Sequence, residues 1–241
     1  MPHPSPPPRT ALLVAIEGGD GAGKATAAAN LVALAQAAGL TATVLSFPRY
    51  GDTVGGHVIG DFLAGRLPRE LTPHAAAVLY ALDRFESAAH LATLAAAHDL
   101  VVLDRYIASN IAYQAAKMPP EEVPALIDWI VRLETGQFGL PAPGLTIYLD
   151  TPLAVARDLI LRKRQRSYTD RSYDEHEADL ALQARVRDNY AAMAAAGVLG
   201  RWVTVRTVAD GTGADGAMRT PEAIAAEIAG EVLAVVGGAP A

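Results

Sequence analysis

Cysteine is missing from all 241 residues, which excludes a disulfide framework and any thiolate-held metal and permits a reducing compartment. Lysine is nearly missing, occurring only as Lys24, Lys117 and Lys163. Lysine and arginine together number 20 against 26 acidic residues, for a formal charge of −6. That balance argues against general binding to nucleic acid or to an anionic membrane, so any polyanion site must be local. Long apolar runs are also lacking, and the stretch Ala11–Ile16 is far too short to cross a bilayer. The opening "MPHPSPPPRT" has no apolar centre and therefore does not read as a signal peptide. Residues 1–10 are expected to form a disordered or extended tail, residues 11–236 a single soluble, cytoplasmic domain, and residues 237–241 a loose end.

What is present is a repeating alternation. Five short apolar runs, Ala11–Glu17, Thr41–Phe47, Leu100–Asp104, Leu145–Asp150 and Trp202–Val205, are apolar nearly throughout, as strands buried on both faces of a parallel sheet are. Between them lie alanine-rich helical patterns. One runs from Lys24 to Ala38 and stops at Gly39. A longer one opens with Thr72 as cap and Pro73 in the first turn and continues to His98; another opens with Thr151 and Pro152. A further helix is expected from Glu177 to Ala196, closed by Gly197. The expected fold class is α/β, a doubly wound five-stranded parallel sheet flanked by helices, with ligands at the carboxyl ends of the strands.

The chemistry begins where the first strand ends, at Gly18-Gly19-Asp20-Gly21-Ala22-Gly23-Lys24-Ala25-Thr26. Strand, glycine loop and helix in this order form a P-loop, whose backbone N–H groups and helix N-terminus hold phosphate while Lys24 reaches the outer phosphates. The hydroxyl that normally closes the motif is replaced by Ala25, and Thr26 points to another side of the helix. Magnesium draws most of its shell from phosphates and water, so a carboxylate elsewhere can carry it. Asp104, which closes the apolar run "DLVVLD", is placed for that in a Walker B arrangement.

Together with the loop, three further motifs, "FPRYG" (Phe47–Gly51), "ALDR" (Ala81–Arg84) and "DRYIASNIAYQ" (Asp104–Gln114), resemble the thymidylate kinases, over roughly Leu12–Arg206. The resemblance implies ATP as phosphoryl donor, dTMP as acceptor, Mg²⁺, and a homodimer. It implies that Arg105 grips the acceptor phosphate with Arg49 beside it, and that Asp20 lies near that phosphate and its metal. It implies thymine between Phe47 and Tyr80 with Arg84 on its carbonyl, Asn110 and Gln114 at its edge, Tyr113 against the sugar 2′ position, and Tyr50 and Ser109 lining the site.

"RKRQRSYTDRSYDEHE" (Arg162–Glu177) is the most charged stretch and resembles the family's mobile lid. Members carry a catalytic arginine in the phosphate loop or in the lid. Gly21 at the loop position implies the second kind, with Arg162 and Arg166 favoured over Arg164 and Arg171. Glu177, with Asp174 as helper, matches a glutamate near the acceptor-site metal, while His176 stands where relatives often have an aromatic. The adenine is expected near residues 209–213.

Two other functions fit the phosphate loop. One is a kinase for another nucleotide or for a deoxynucleoside, although deoxynucleoside kinases commonly carry Glu-Arg-Ser where this chain has "DRY" and lack "FPRYG". The other is a silent nucleotide binder, suggested by Ala25. A switch GTPase is disfavoured because no Asn-Lys-x-Asp motif occurs.

Overall fold

The computed structural model describes residues 11–166, 180–209 and 217–238, with the side chains of residues 161–166 left undescribed. Five strands, β1 (Leu12–Glu17), β2 (Ala42–Ser46), β3 (Leu100–Asp104), β4 (Leu145–Asp150) and β5 (Trp202–Arg206), form one parallel sheet in the order β2-β3-β1-β4-β5. The register pairs Leu12 with Leu100 and Val14 with Leu145, so the ends of β1, β3 and β4 lie side by side.

Alternation within each strand divides the core in two. Val14, Ile16, Leu100, Val102 and Ile147 face α1 (Lys24–Ala37), through Leu31 and Ala35, and α9 (Pro221–Gly238), through Ile228 and Val232. Leu13, Ala15, Val101 and Leu103 face the other layer, built on α5 (Ile107–Ala115), α6 (Val123–Val131) and α8 (Leu180–Ala196). Helices on both faces explain the continuously apolar strands, since neither face meets water. Because all five strands are parallel, their carboxyl ends open on one edge, where the β1–α1 and β3–α5 turns meet.

The pattern Thr72–His98 forms two helices rather than one, α3 (Pro73–Glu86) and α4 (Ala88–Ala97), after α2 (Val54–Leu63). Ser87 makes the break: its Oγ donates to the Asp83 carbonyl one turn back at 2.8 Å and accepts from Arg49 Nη1 at 3.2 Å. Such back-bonding by serine bends helices. Thr72 does cap α3, accepting from Ala75 N at 3.2 Å. Helix α7 spans Leu153–Arg166, and α9 runs two residues past the expected domain end at 236. The expected N-terminal tail and residues 239–241 lie outside the described residues.

Candidate active site

The loop after β1 is closed on itself. Gly23, at φ 85°, is the residue before α1, and Lys24 bends back so that Nζ donates to Gly19 O at 2.7 Å and Gly18 O at 3.1 Å. Burial, and then the Arg105 guanidinium, pull the Lys24 ammonium down to about 7. Gly21 has φ 75°, and a Cβ added there would stand 2.4 Å from the Ala156 carbonyl on α7. The space a side chain at Gly21 would need is thus filled by helix backbone. Ala25 and Thr26 are both exposed on the first turn of α1.

The β3–α5 turn supplies the second wall. Arg105 sits at φ 64°, a left-handed conformation costly for a side chain of its size, held by its N–H to Ile16 O at 3.1 Å. This backbone directs its guanidinium across to the phosphate loop, where it forms an ion pair with Asp20. Gln183 of α8 completes that contact, with Nε2 donating to Asp20 Oδ2 at 2.9 Å and Oε1 accepting from Asp20 N at 3.4 Å. Burial alone would raise the Asp20 carboxyl, but Arg105 and Lys24 outweigh it and hold it at about 2. Tyr113 lies under Arg105, whose guanidinium carbon is 5.4 Å from the ring centre.

Beneath Arg105 is Glu17, the last residue of β1 and fully buried. It accepts from Tyr106 N at 2.8 Å, Ser109 N at 3.3 Å, Ser109 Oγ at 2.6 Å and Tyr190 Oη at 3.0 Å. Helix α5 has no capping side chain of its own, so this carboxylate satisfies its N-terminal donors from across the sheet. Burial pushes the Glu17 carboxyl up, against those hydrogen bonds and the Arg105 charge.

A third cluster lies further along α3 and α5. Arg84, 2% exposed, makes a two-pronged ion pair with the fully buried Glu134, at 2.5 Å from Nε and 2.6 Å from Nη2. Asn110 Nδ2 donates to Glu134 Oε1 at 2.9 Å and Ala77 O at 3.0 Å. Asn110 Oδ1 and Gln114 Oε1 are buried without a hydrogen-bond partner among the described residues. Two orphaned acceptors one turn apart mark a place where a bound group with N–H or O–H donors belongs.

The remaining expected residues divide. Phe47 is buried beside Tyr106, with ring centres 5.9 Å apart, and the Phe47–Pro48 peptide is cis. Arg49 is anchored between Ser87 and Asp52, and its N–H meets Asp83 at 3.1 Å. Tyr80 is half-buried and Tyr50 is largely exposed. Asp104 is half-buried at the tip of β3, and its carboxylate takes no hydrogen bond from any described residue, as suits an ion or water ligand. Among the described residues no cluster of three or more metal-ligating side chains occurs. Arg162, Arg164 and Arg166 lie on the last turns of α7 with undescribed side chains; Arg171, Asp174, His176, Glu177 and nearly all of the adenine segment 209–213 lie outside the described residues. Sequence reasoning did not single out Glu17, Glu134, Gln183 or Tyr190.

A glycine loop with a buried lysine at the end of β1, an aspartate closing β3 beside it, and a sheet ordered β2-β3-β1-β4-β5 define a P-loop phosphotransferase of the nucleoside-monophosphate kinase type. Residues 16–208 match the thymidylate kinase family model, and the chain belongs to the thymidylate kinase family. It is 38% identical over 197 residues to the thymidylate kinase of Mycobacterium tuberculosis, covering 80% of this chain and 91% of that one. It is 37% identical over 194 residues to that of Leifsonia xyli, covering 79% and 85%. The fold is similar to that of thymidylate kinase from Candida albicans, with a TM-score of 0.68 at 23% identity over 94% of this chain and 92% of that one.

Proposed function

We propose that this protein transfers the γ-phosphoryl of ATP to dTMP, giving ADP and dTDP. One observation supports the reading most: the phosphate loop and the acceptor arginine are joined through the Asp20–Arg105 ion pair, with orphaned acceptors on α5 beyond them. A phosphate loop and a polar cluster with unmet acceptors thus lie on the same side of the sheet, as a donor site beside an acceptor site would require. In this reading the loop N–H groups and Lys24 hold the donor phosphates. Lys24 leaves the carbonyls of Gly18 and Gly19 when phosphate arrives, and the phosphate charge favours its protonated form. Arg105, with Arg49 nearby, holds the acceptor phosphate in line. Phe47 and Tyr80 enclose the base, Arg84, Asn110 and Gln114 meet its edge, Tyr113 crowds the 2′ position, and Tyr50 and Ser109 line the approach.

Asp104 and Asp20, with Glu177 from the lid, would hold Mg²⁺, which when bound offsets phosphate charge. Arg162 and Arg166, in the last turns of α7, are proposed as the source of the cation that Gly21 does not supply. A homodimer is proposed through the outer face of α3, where Val78 and Phe85 are 41% and 48% exposed; light scattering tests it. The protein is proposed to act in the cytoplasm, and among the described residues no helix is long and apolar enough to cross a membrane.

The test is ADP release from ATP and magnesium with dTMP, dUMP, dCMP, UMP, AMP and thymidine, each as sole acceptor. A clear preference for dTMP is expected, and Lys24→Ala is expected to lower turnover about 10²–10³-fold. Preference for another acceptor overturns the substrate, and ATP binding without turnover overturns the enzyme.

A further inference from the structure

Glu134 lies at the centre of a π-helical turn, Arg132–Gln137, that continues α6, a rare geometry often found where a helix serves a site. Its carboxylate commits two neighbours at once. It takes the Nε and Nη2 edge of Arg84, which leaves the Nη1 hydrogens outside the pair. It also takes one hydrogen of Asn110 Nδ2, while Ala77 O takes the other. Turning the Asn110 amide over would set its oxygen against two acceptors, so Oδ1 must be the atom turned away from Glu134 and Ala77 O, and it is the buried atom without a partner.

We propose that Glu134 is the positioning residue that fixes the polarity of base recognition, forcing Asn110 to present an acceptor and Arg84 to present donors. This rests on the reading of the site as one for a nucleoside monophosphate. A base fits if it offers a carbonyl next to an N–H, as thymine and uracil do at C4 and N3. Cytosine offers an amino group and a bare ring nitrogen, so donor would face donor and acceptor would face acceptor. A buried site built to pair a given pattern rejects its reverse because the site's own groups are left unpaired. Glu134 touches no substrate in this scheme; it acts through two residues that do.

The test is kcat and KM for dTMP and dCMP with the wild-type protein and Glu134→Gln, each checked for ATP binding. A glutamine has one acceptor oxygen where the carboxylate uses two, Oε2 for Arg84 Nε and Oε1 for both Arg84 Nη2 and Asn110 Nδ2. With its oxygen toward Arg84 Nε, its amide N–H faces Asn110, and Ala77 O alone holds the Asn110 orientation. The ratio of kcat/KM for dTMP to that for dCMP is expected to fall about 10–100-fold, chiefly through KM. A side chain that only supports the fold would lower both acceptors together, and an unchanged ratio overturns the proposal. If Glu134→Gln fails to fold, Glu134→Asp, which keeps the charge opposite Arg84 but withdraws it by one methylene, is read by the same ratio. Failure of the wild-type protein to use dTMP would strike the functional reading instead, so the two failures are told apart.

Discussion

Replacing Gly21 by alanine tests whether the phosphate loop and the lid helix are wedged together. The added Cβ would stand 2.4 Å from Ala156 O and 3.0 Å from Ile160 Cγ1. A relaxed carbon–oxygen contact is about 3.3 Å, so loop and α7 must part by roughly 0.9 Å. The residue must also hold φ 75°, which costs about 1–2 kcal/mol with a side chain present. Gly23 separates the two effects, because its φ is 85° but an added Cβ meets nothing within 4 Å. Gly23→Ala should therefore carry the backbone cost alone, and Gly21→Ala a further ~1–3 kcal/mol of overpacking. For a chain of this length each kcal/mol is about 2–4 °C, so the melting temperature of Gly21→Ala should lie roughly 2–12 °C below that of Gly23→Ala. The assay is thermal unfolding without nucleotide, since ligand would stabilise the two variants unequally. Turnover should also fall in Gly21→Ala, on the order of 10²-fold, because a shift near 1 Å at the base of α7 misplaces whatever the lid carries. Equal melting temperatures for the two variants would refute the wedge.

Two other outcomes follow from buried charge. With Lys24 held at about 7 in the free protein and fully protonated beside phosphate, ATP binding at pH 8 should take up about 0.9 proton, and at pH 6 only about 0.1. Calorimetry in buffers of different ionisation enthalpy reads this directly, and a buffer-independent heat at pH 8 would contradict it. Glu17 has the opposite sense: its folded carboxyl titrates above the ordinary 4.5, so the folded state keeps a proton that the unfolded chain releases. Its contribution to stability is fullest below the unfolded value and declines as pH rises toward the folded one. Urea unfolding at pH values of about 5 and 6.5 should show the wild type losing stability and Glu17→Gln losing less, and parallel curves would remove the explanation.

Much of this was legible in the sequence, and what escaped has a common physical cause. The strands were readable because both faces are buried, and the loop because its chemistry is local. Residues 104–114 were readable as a motif because one turn and the helix after it carry Arg105, Asn110, Tyr113 and Gln114 within ten residues of sequence. The break at Ser87 was hidden because helical periodicity continues through it, while the bend comes from one hydroxyl turning to its own backbone. Glu134 and Gln183 act across 50 and 163 residues of sequence, on Arg84 and Asp20, so no spacing advertises them. A weaker signal existed: Glu134 continues the buried positions Leu126 and Ile130, and Gln183 precedes Val186, Tyr190 and Met193 on one helix face. A polar residue on an apolar stripe needs a partner, and here the partners are site residues. That a side chain at Gly21 would meet a helix carbonyl belongs to tertiary packing and was not legible in the sequence.

Glu17 ends the strand that launches the donor loop, and the same side chain fastens the first turn of the helix that carries the acceptor residues. Phosphoryl transfer depends on the gap between two anionic groups that repel each other, and loops alone would let that gap breathe. Here the two holders are clamped at one shared carboxylate, so the separation of the substrates is set like the jaws of a calliper by a fixed pivot.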